Sequence, residues 1–229
     1  MVLFAGSGAA QSAPAKTSFT ADLSYVTASG NTDFATLSIG DRIVYSRSGW
    51  TFTQLGGFVR GTTKDSVTAR SFRASLRGDR AIIVGLSLFA GAATESNKFA
   101  GFDSRTDELA GVNWKVIHSP SDSLAFDAGA NYTQQQNVNG TEVNYGSWRT
   151  AEMYKHMFST KAYFLQLAEY VPSVGDKQGY RFNSESAIVA PVLAHIGIKA
   201  NYALRYVSKP PAGFGTTDRV LTMGVQVTY

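Results

Sequence analysis

The chain contains no cysteine, which excludes a disulfide framework and a thiolate metal site and suits passage through an oxidising compartment. It has no long apolar run either, since the longest, residues 81–93, falls short of the roughly 20 residues that a spanning helix needs. A mean hydropathy of -0.10 is likewise too polar for a bundle of membrane helices. Charge is sparse at 17% of residues, and the lysines and arginines behind the net +4 are scattered singly. A pI near 9.2 without any basic run offers nucleic acid no patch to bind. Gly6-Ser7-Gly8 lacks a following Lys-Ser or Lys-Thr pair, which excludes a phosphate loop, and no cluster of metal ligands or cofactor motif is present.

What the chain does have is alternation. In the last stretch, opening on Thr217 and closing on Tyr229, Leu221, Met223, Val225, Val227 and Tyr229 take every second position, with Thr222, Gly224, Gln226 and Thr228 between them. The stretch before it alternates Ile196, Ile198, Ala200, Tyr202 and Leu204 with His195, Gly197, Lys199, Asn201 and Arg205. A strand with one apolar face and a charged opposite face fits a lipid-facing wall around a wet interior. A soluble β-sandwich is the alternative, and it would need the Lys199 and Arg205 face in water.

The same period predicts ten earlier strands. They span 17–27, 34–46, 50–60, a fourth ending at a Gly78-Asp79-Arg80 turn, 81–94, a sixth through Trp114, a seventh from Leu124 to Tyr132, 144–157, 160–171 and 180–190. A bulge at Gly40 is expected to turn Asp41 inward. Loops are expected at 61–67, 95–103, 134–143, 172–179 and 208–216, with short turns at the alternate links. The faces of strands eight and nine stay unassigned, because both phases carry apolar residues. The fold expected is all-β, a transmembrane up-and-down antiparallel barrel of about 12 strands, with residues 16–229 as one domain. Residues 1–15 read as a signal-peptide remnant or a disordered tail, with small-residue cleavage options at Gly8-Ala9-Ala10 and Ala13-Pro14-Ala15. Tyr25, Tyr45, Trp50, Trp114, Tyr132, Tyr206 and Tyr229 fall near strand ends, where aromatic girdles belong.

Twelve strands about 4.8 Å apart and tilted about 40° enclose a backbone diameter of roughly 24 Å, which inward side chains cut to about half. The candidate lumen-lining residues are Arg73, Arg77, Arg105, Asp107, Lys115, Asp127, Arg181, Glu185, Lys199 and Arg205, with Arg42, Asp22 and Asp79 in the same phase. Positive charge exceeds negative in this set, so a narrow passive channel preferring small anions is expected. A structural or envelope-stress barrel with a filled lumen is the alternative, and a lipid-modifying enzyme a distant one. His118, His156 and His195 have no serine in a nucleophile context, so no enzyme is expected. Asp103, Asp107 and Glu108 lack the spacing of a calcium loop and read as a solvated acidic cluster.

Three stretches carry a family resemblance: Gly30-Asn31-Thr32-Asp33, then the run from Ser104 through Arg105, Asp107 and Gly111 to Trp114, then the ending from Pro210 through Thr217-Asp218 to Tyr229. In order and spacing they resemble the YdiY-like family of salt-induced outer-membrane proteins, a domain of unknown function. The resemblance implies an exported barrel in the outer membrane of a Gram-negative-type bacterium, without a known substrate or catalytic residue. The partners it implies are outer-membrane lipid and, through the terminal aromatic strand, the barrel assembly machinery.

Overall fold

The computed structural model describes residues 15–28, 34–64, 66–176 and 178–229. The tail 1–14, the 29–32 turn and the Gly30-Asn31-Thr32-Asp33 motif therefore lie outside the described residues. The described residues form twelve strands: β1 (Lys16–Ala28), β2 (Phe34–Arg47), β3 (Trp50–Thr63), β4 (Ser66–Ile83), β5 (Leu86–Asn97), β6 (Phe102–His118), β7 (Asp122–Asn137), β8 (Glu142–Met157), β9 (Tyr163–Pro172), β10 (Tyr180–Pro191), β11 (Ile196–Val207) and β12 (Thr217–Thr228). Each pairs antiparallel with its neighbours in sequence, and β12 pairs with β1, closing the barrel. The closing ladder runs from Thr20↔Thr228 to Ser24↔Gly224. Beyond it, the backbones of Phe19 and Tyr229 exchange two hydrogen bonds of 2.8 Å, so the terminal aromatic clasps the first strand. Closure leaves no free sheet edge, which is what lets a β-structure sit in hydrocarbon.

Cross-strand partners share a face, so one assignment propagates around the sheet. Leu23 pairs with Ile39 and Val225, and all three are exposed. Leu76, Leu88, Val112, Ile188, Ile198, Leu221 and Met223 continue this outward apolar wall. Aromatics edge it: Trp50 stacks on Phe52 at 5.7 Å near one rim, and Tyr170, Tyr180 and Tyr206 form a row with centroids 5.4 and 5.5 Å apart near the other.

Several expected boundaries are corrected. The fourth strand does not turn at Gly78-Asp79-Arg80 but runs on to Ile83, and the reversal comes at Val84 and Gly85. Gly85 has the positive φ of 80° that a tight turn requires, whereas Gly78 stays extended and leaves room for the Phe52 ring. The expected loop 61–67 shrinks to 64–65, because β3 and β4 keep pairing through a register shift at Gly61/Thr62. Loop 95–103 becomes a short 3-10 turn, Lys98–Ala100, and loop 134–143 becomes a turn over 138–141. No bulge occurs at Gly40: both ladders of β2 run without a shift, so Asp41 stays in phase with Ile39 and Ile43 on the outer wall, over Gly56. The rims still differ, since the longest links, 173–179 and 208–216, share one rim, here termed the long-link rim. The other, short-turn rim carries the links 48–49, 84–85, 119–121, 158–162 and 192–195.

Candidate functional site: the charged lumen

The inward phase is fixed by register. It carries Asp22 on β1, Arg42 on β2, Leu55 on β3, Arg73 and Arg77 on β4, and their partners in turn around the barrel. Small inward residues make room for long ones. Phe89, Gly111 and Gly129 lie in a row across β5, β6 and β7, and a Cβ on Gly111 would stand 2.3 Å from the Ala128 carbonyl oxygen and 2.9 Å from the Phe89 ring. Phe89 folds over this glycine floor, and the Arg77 guanidinium lies 3.9 Å above its ring.

From there an ion-pair network crosses the lumen. Arg77 donates to Asp79 and, 50 residues away, to Asp127, whose carboxylate also accepts from Asn113 at 2.8 Å and Arg149 at 3.0 Å. Arg149 in turn donates to Glu169 at 2.6 Å, and Asn183 donates to the other Glu169 oxygen at 2.9 Å. Nearer the long-link rim, Arg181 grips Asp107 with two hydrogen bonds of 2.8 and 3.1 Å, the bidentate geometry that suits a guanidinium. Thr133 and Asn131 donate to the same carboxylate, and Glu95 accepts from Arg105 at 2.8 Å and from Arg205. Between these groups remains a cavity of about 20 Å³, lined by Arg73, Glu169, Arg181 and Arg205 among others. That is room for about one water molecule.

The short-turn half is different. Lys199 donates to Asp22 at 2.8 Å, Gln226 to the other Asp22 oxygen at 2.9 Å, and the Tyr163 hydroxyl to Gln226 at 2.7 Å. Lys155 stands 4.3 Å from the Tyr163 ring centre. Around them Arg42 is exposed and inward Leu55 and Met153 keep 42% and 37% of their surface open, whereas Glu95 and Arg181 in the network keep 8% each.

Of the sequence candidates, Arg77, Arg105, Asp107, Asp127, Arg181 and Arg205 are brought together in the network, and Lys199 in the Asp22 group. Arg73 lines the residual cavity. Lys115 and Glu185 lie in inward register, and no ion pair within 4.0 Å involves either among the described residues. The sequence reading missed Glu95, Arg149, Lys155 and Glu169. Glu95 falls in the loop expected over 95–103, although it continues the phase of Phe89, Gly91 and Ala93, and the other three sit on strands eight and nine. The acidic cluster does not converge: Asp103 pairs with Lys98 at 3.0 Å, Asp107 enters the lumen and Glu108, one residue on, faces the outer wall. The three histidines sit along the short-turn rim, His156 at 2.8 Å from Asp122 and His195 stacked on Tyr229 at 4.8 Å.

A closed antiparallel barrel with an apolar outer wall and a charged lumen defines a transmembrane β-barrel of the outer-membrane type. Residues 21–229 match DUF481, described as a protein of unknown function, and the chain belongs to that family. No curated protein matches it. Among solved structures it is similar to the NanC porin, with a TM-score of 0.54 at 10% identity over 92% of this chain and 98% of that one. The translocator domain of the autotransporter NalP from Neisseria meningitidis gives a TM-score of 0.46 at 11% identity, over 92% of this chain and 86% of that one. An anion-selective porin from Comamonas acidovorans gives 0.41 at 9%, over 96% of this chain and all of that one, 100%. At 10% identity the likeness to the NanC porin is one of fold.

Proposed function

We propose that this protein resides in the outer membrane of a Gram-negative-type bacterium and forms a narrow passive channel for small anions. One observation carries the reading: the inward charges do not cancel. Arg42, Arg73, Lys115 and Lys155 have no carboxylate within 4.0 Å among the described residues, against Glu185 and Asp218 on the acidic side. A wall with surplus positive charge around a tight constriction favours anions at low conductance, and salt within a Debye length screens the preference. Planar-bilayer recording of the purified barrel tests this: a small conductance with an anion-selective reversal potential that fades at high salt is expected, and cation preference overturns it.

A second reading, a structural or envelope-stress barrel with a filled lumen, draws on the same network, because its buried ion pairs reach across the lumen and leave a cavity of about 20 Å³ between them. Complete electrical silence supports it over the channel. A catalytic role is not part of either reading, since the three histidines are dispersed along one rim. Both readings assign the last strand and Tyr229 to recognition by the assembly machinery, and membership of the salt-induced branch to be tested by expression at raised salt.

A further inference from the structure

We infer that the short-turn half of the lumen holds a binding site for a small free oxyanion, of carboxylate or phosphate type, between Arg42 and Lys155. Arg77, Arg105, Arg149, Arg181, Lys199 and Arg205 each have a carboxylate partner within 4.0 Å. Arg42 and Lys155 have none among the described residues, and they stand on strands β2 and β8, on opposite sides of the barrel and both in the inward phase. Tyr163 bridges the two sides: Lys155 stands over its ring at 4.3 Å, and its hydroxyl reaches Gln226 at 2.7 Å, which donates to Asp22, whose cross-strand partner Gly40 is two residues from Arg42 on the inward face.

Two unpaired like charges pointing into the same part of the lumen repel each other, and an anion held between them relieves that repulsion. The protein does not supply it. Asp22 already accepts from Lys199 and Gln226 through separate oxygens, and the Tyr163 hydroxyl is spent on Gln226. Exposed Leu55 and Met153 beside them show that the space is open to a ligand. The planar guanidinium of Arg42 offers paired donors to an oxyanion, and the Lys155 ammonium adds a compact charge opposite. Both side chains are in the inward phase, so the ligand is a solute arriving through the short-turn mouth and not the headgroup of a surrounding lipid.

This site deepens the anion-channel reading and rests on it for the ligand's route, but its binding is measured without current. Isothermal titration of the folded full-length barrel with inorganic phosphate, in zwitterionic detergent at low salt, should show one site per chain. Arg42→Gln and Lys155→Gln should each weaken it about tenfold or more, while Lys115→Gln, an unpaired inward cation near the same rim, should not. Heat-modified gel migration confirms that each variant is folded. Without phosphate, Arg42→Gln should raise the unfolding temperature at low salt, since it removes a repulsion. Absence of phosphate binding by the folded wild type, or binding indifferent to Arg42→Gln and Lys155→Gln, overturns the site. Phosphate binding in an electrically silent barrel would keep the site and reject the channel.

Discussion

The two halves of the lumen are built from the same residue types and differ in how much of their charge is paired. Toward the long-link rim every arginine but Arg73 is locked to a carboxylate and the space is filled; toward the short-turn rim Arg42 and Lys155 stand unpaired in open space. Buried charge explains the first half, because an ion removed from water must be paired and hydrogen-bonded to be tolerated. Solvated charge explains the second, where water stands in for a partner. A constriction and a vestibule thus arise from the ratio of carboxylates to cations at each level, and from which strands carry glycine beneath a long side chain.

The sharpest way to break this contrast is to orphan a charge in the filled half. Asp107→Ala leaves Arg181 buried without its partner and should destabilise the barrel by about 3–5 kcal/mol in urea titrations followed by heat-modified migration. Arg42→Gln, in the open half, should not reduce stability. An equal loss in both would mean that the vestibule is not wet.

Next in size is the contrast between wall and lumen. Met223→Arg puts a charge near the middle of the lipid-facing wall and should cost about 2–4 kcal/mol. Thr222, its inward neighbour, is only 7% exposed and belongs to a packed level, so it is a poor control. Leu55→Glu, which sets a charge in the open lumen beside its cross-strand partner Arg42, is the variant that should fold with nearly wild-type stability.

Smaller effects are expected at glycines. Gly111→Ala drives a methyl into the Ala128 carbonyl and the Phe89 ring and should cost about 1–3 kcal/mol, measured by the same titrations. Gly57→Ala, where a Cβ meets nothing within 4 Å, should change stability by less than about 1 kcal/mol, in the stabilising direction. The smallest shift is electrical. Replacing Arg42 and Lys155 together by Gln should remove the anion preference, read as a reversal potential, with little change in conductance. Lys199 and Arg205 are poorer targets than their charge suggests, since each already neutralises a carboxylate, Asp22 and Glu95, and removing them would leave acid behind.

The sequence alone determined the class, the strand number and the facing of most strands, because a period of two is a local property that each stretch displays independently of its partners. Strands eight and nine defeated it for a reason visible only in the assembled barrel. Ala151, Met153, Leu165 and Leu167 face inward, Ala151 directly between Asp127 and Glu169 of the network, while Glu152 and Gln166 face outward, so alternation is blurred on both faces. That β4 runs on through Gly78-Asp79-Arg80 is likewise a tertiary decision: composition suggests a turn, but Gly78 pairs with Phe52 on one side and Ala90 on the other, and both ladders continue past it. Which cations are paired was beyond the sequence altogether. Arg77 meets Asp127 across 50 positions and Arg181 meets Asp107 across 74, and only closure of the sheet brings such distant strands within hydrogen-bonding reach, leaving Arg42 and Lys155 without carboxylates of their own.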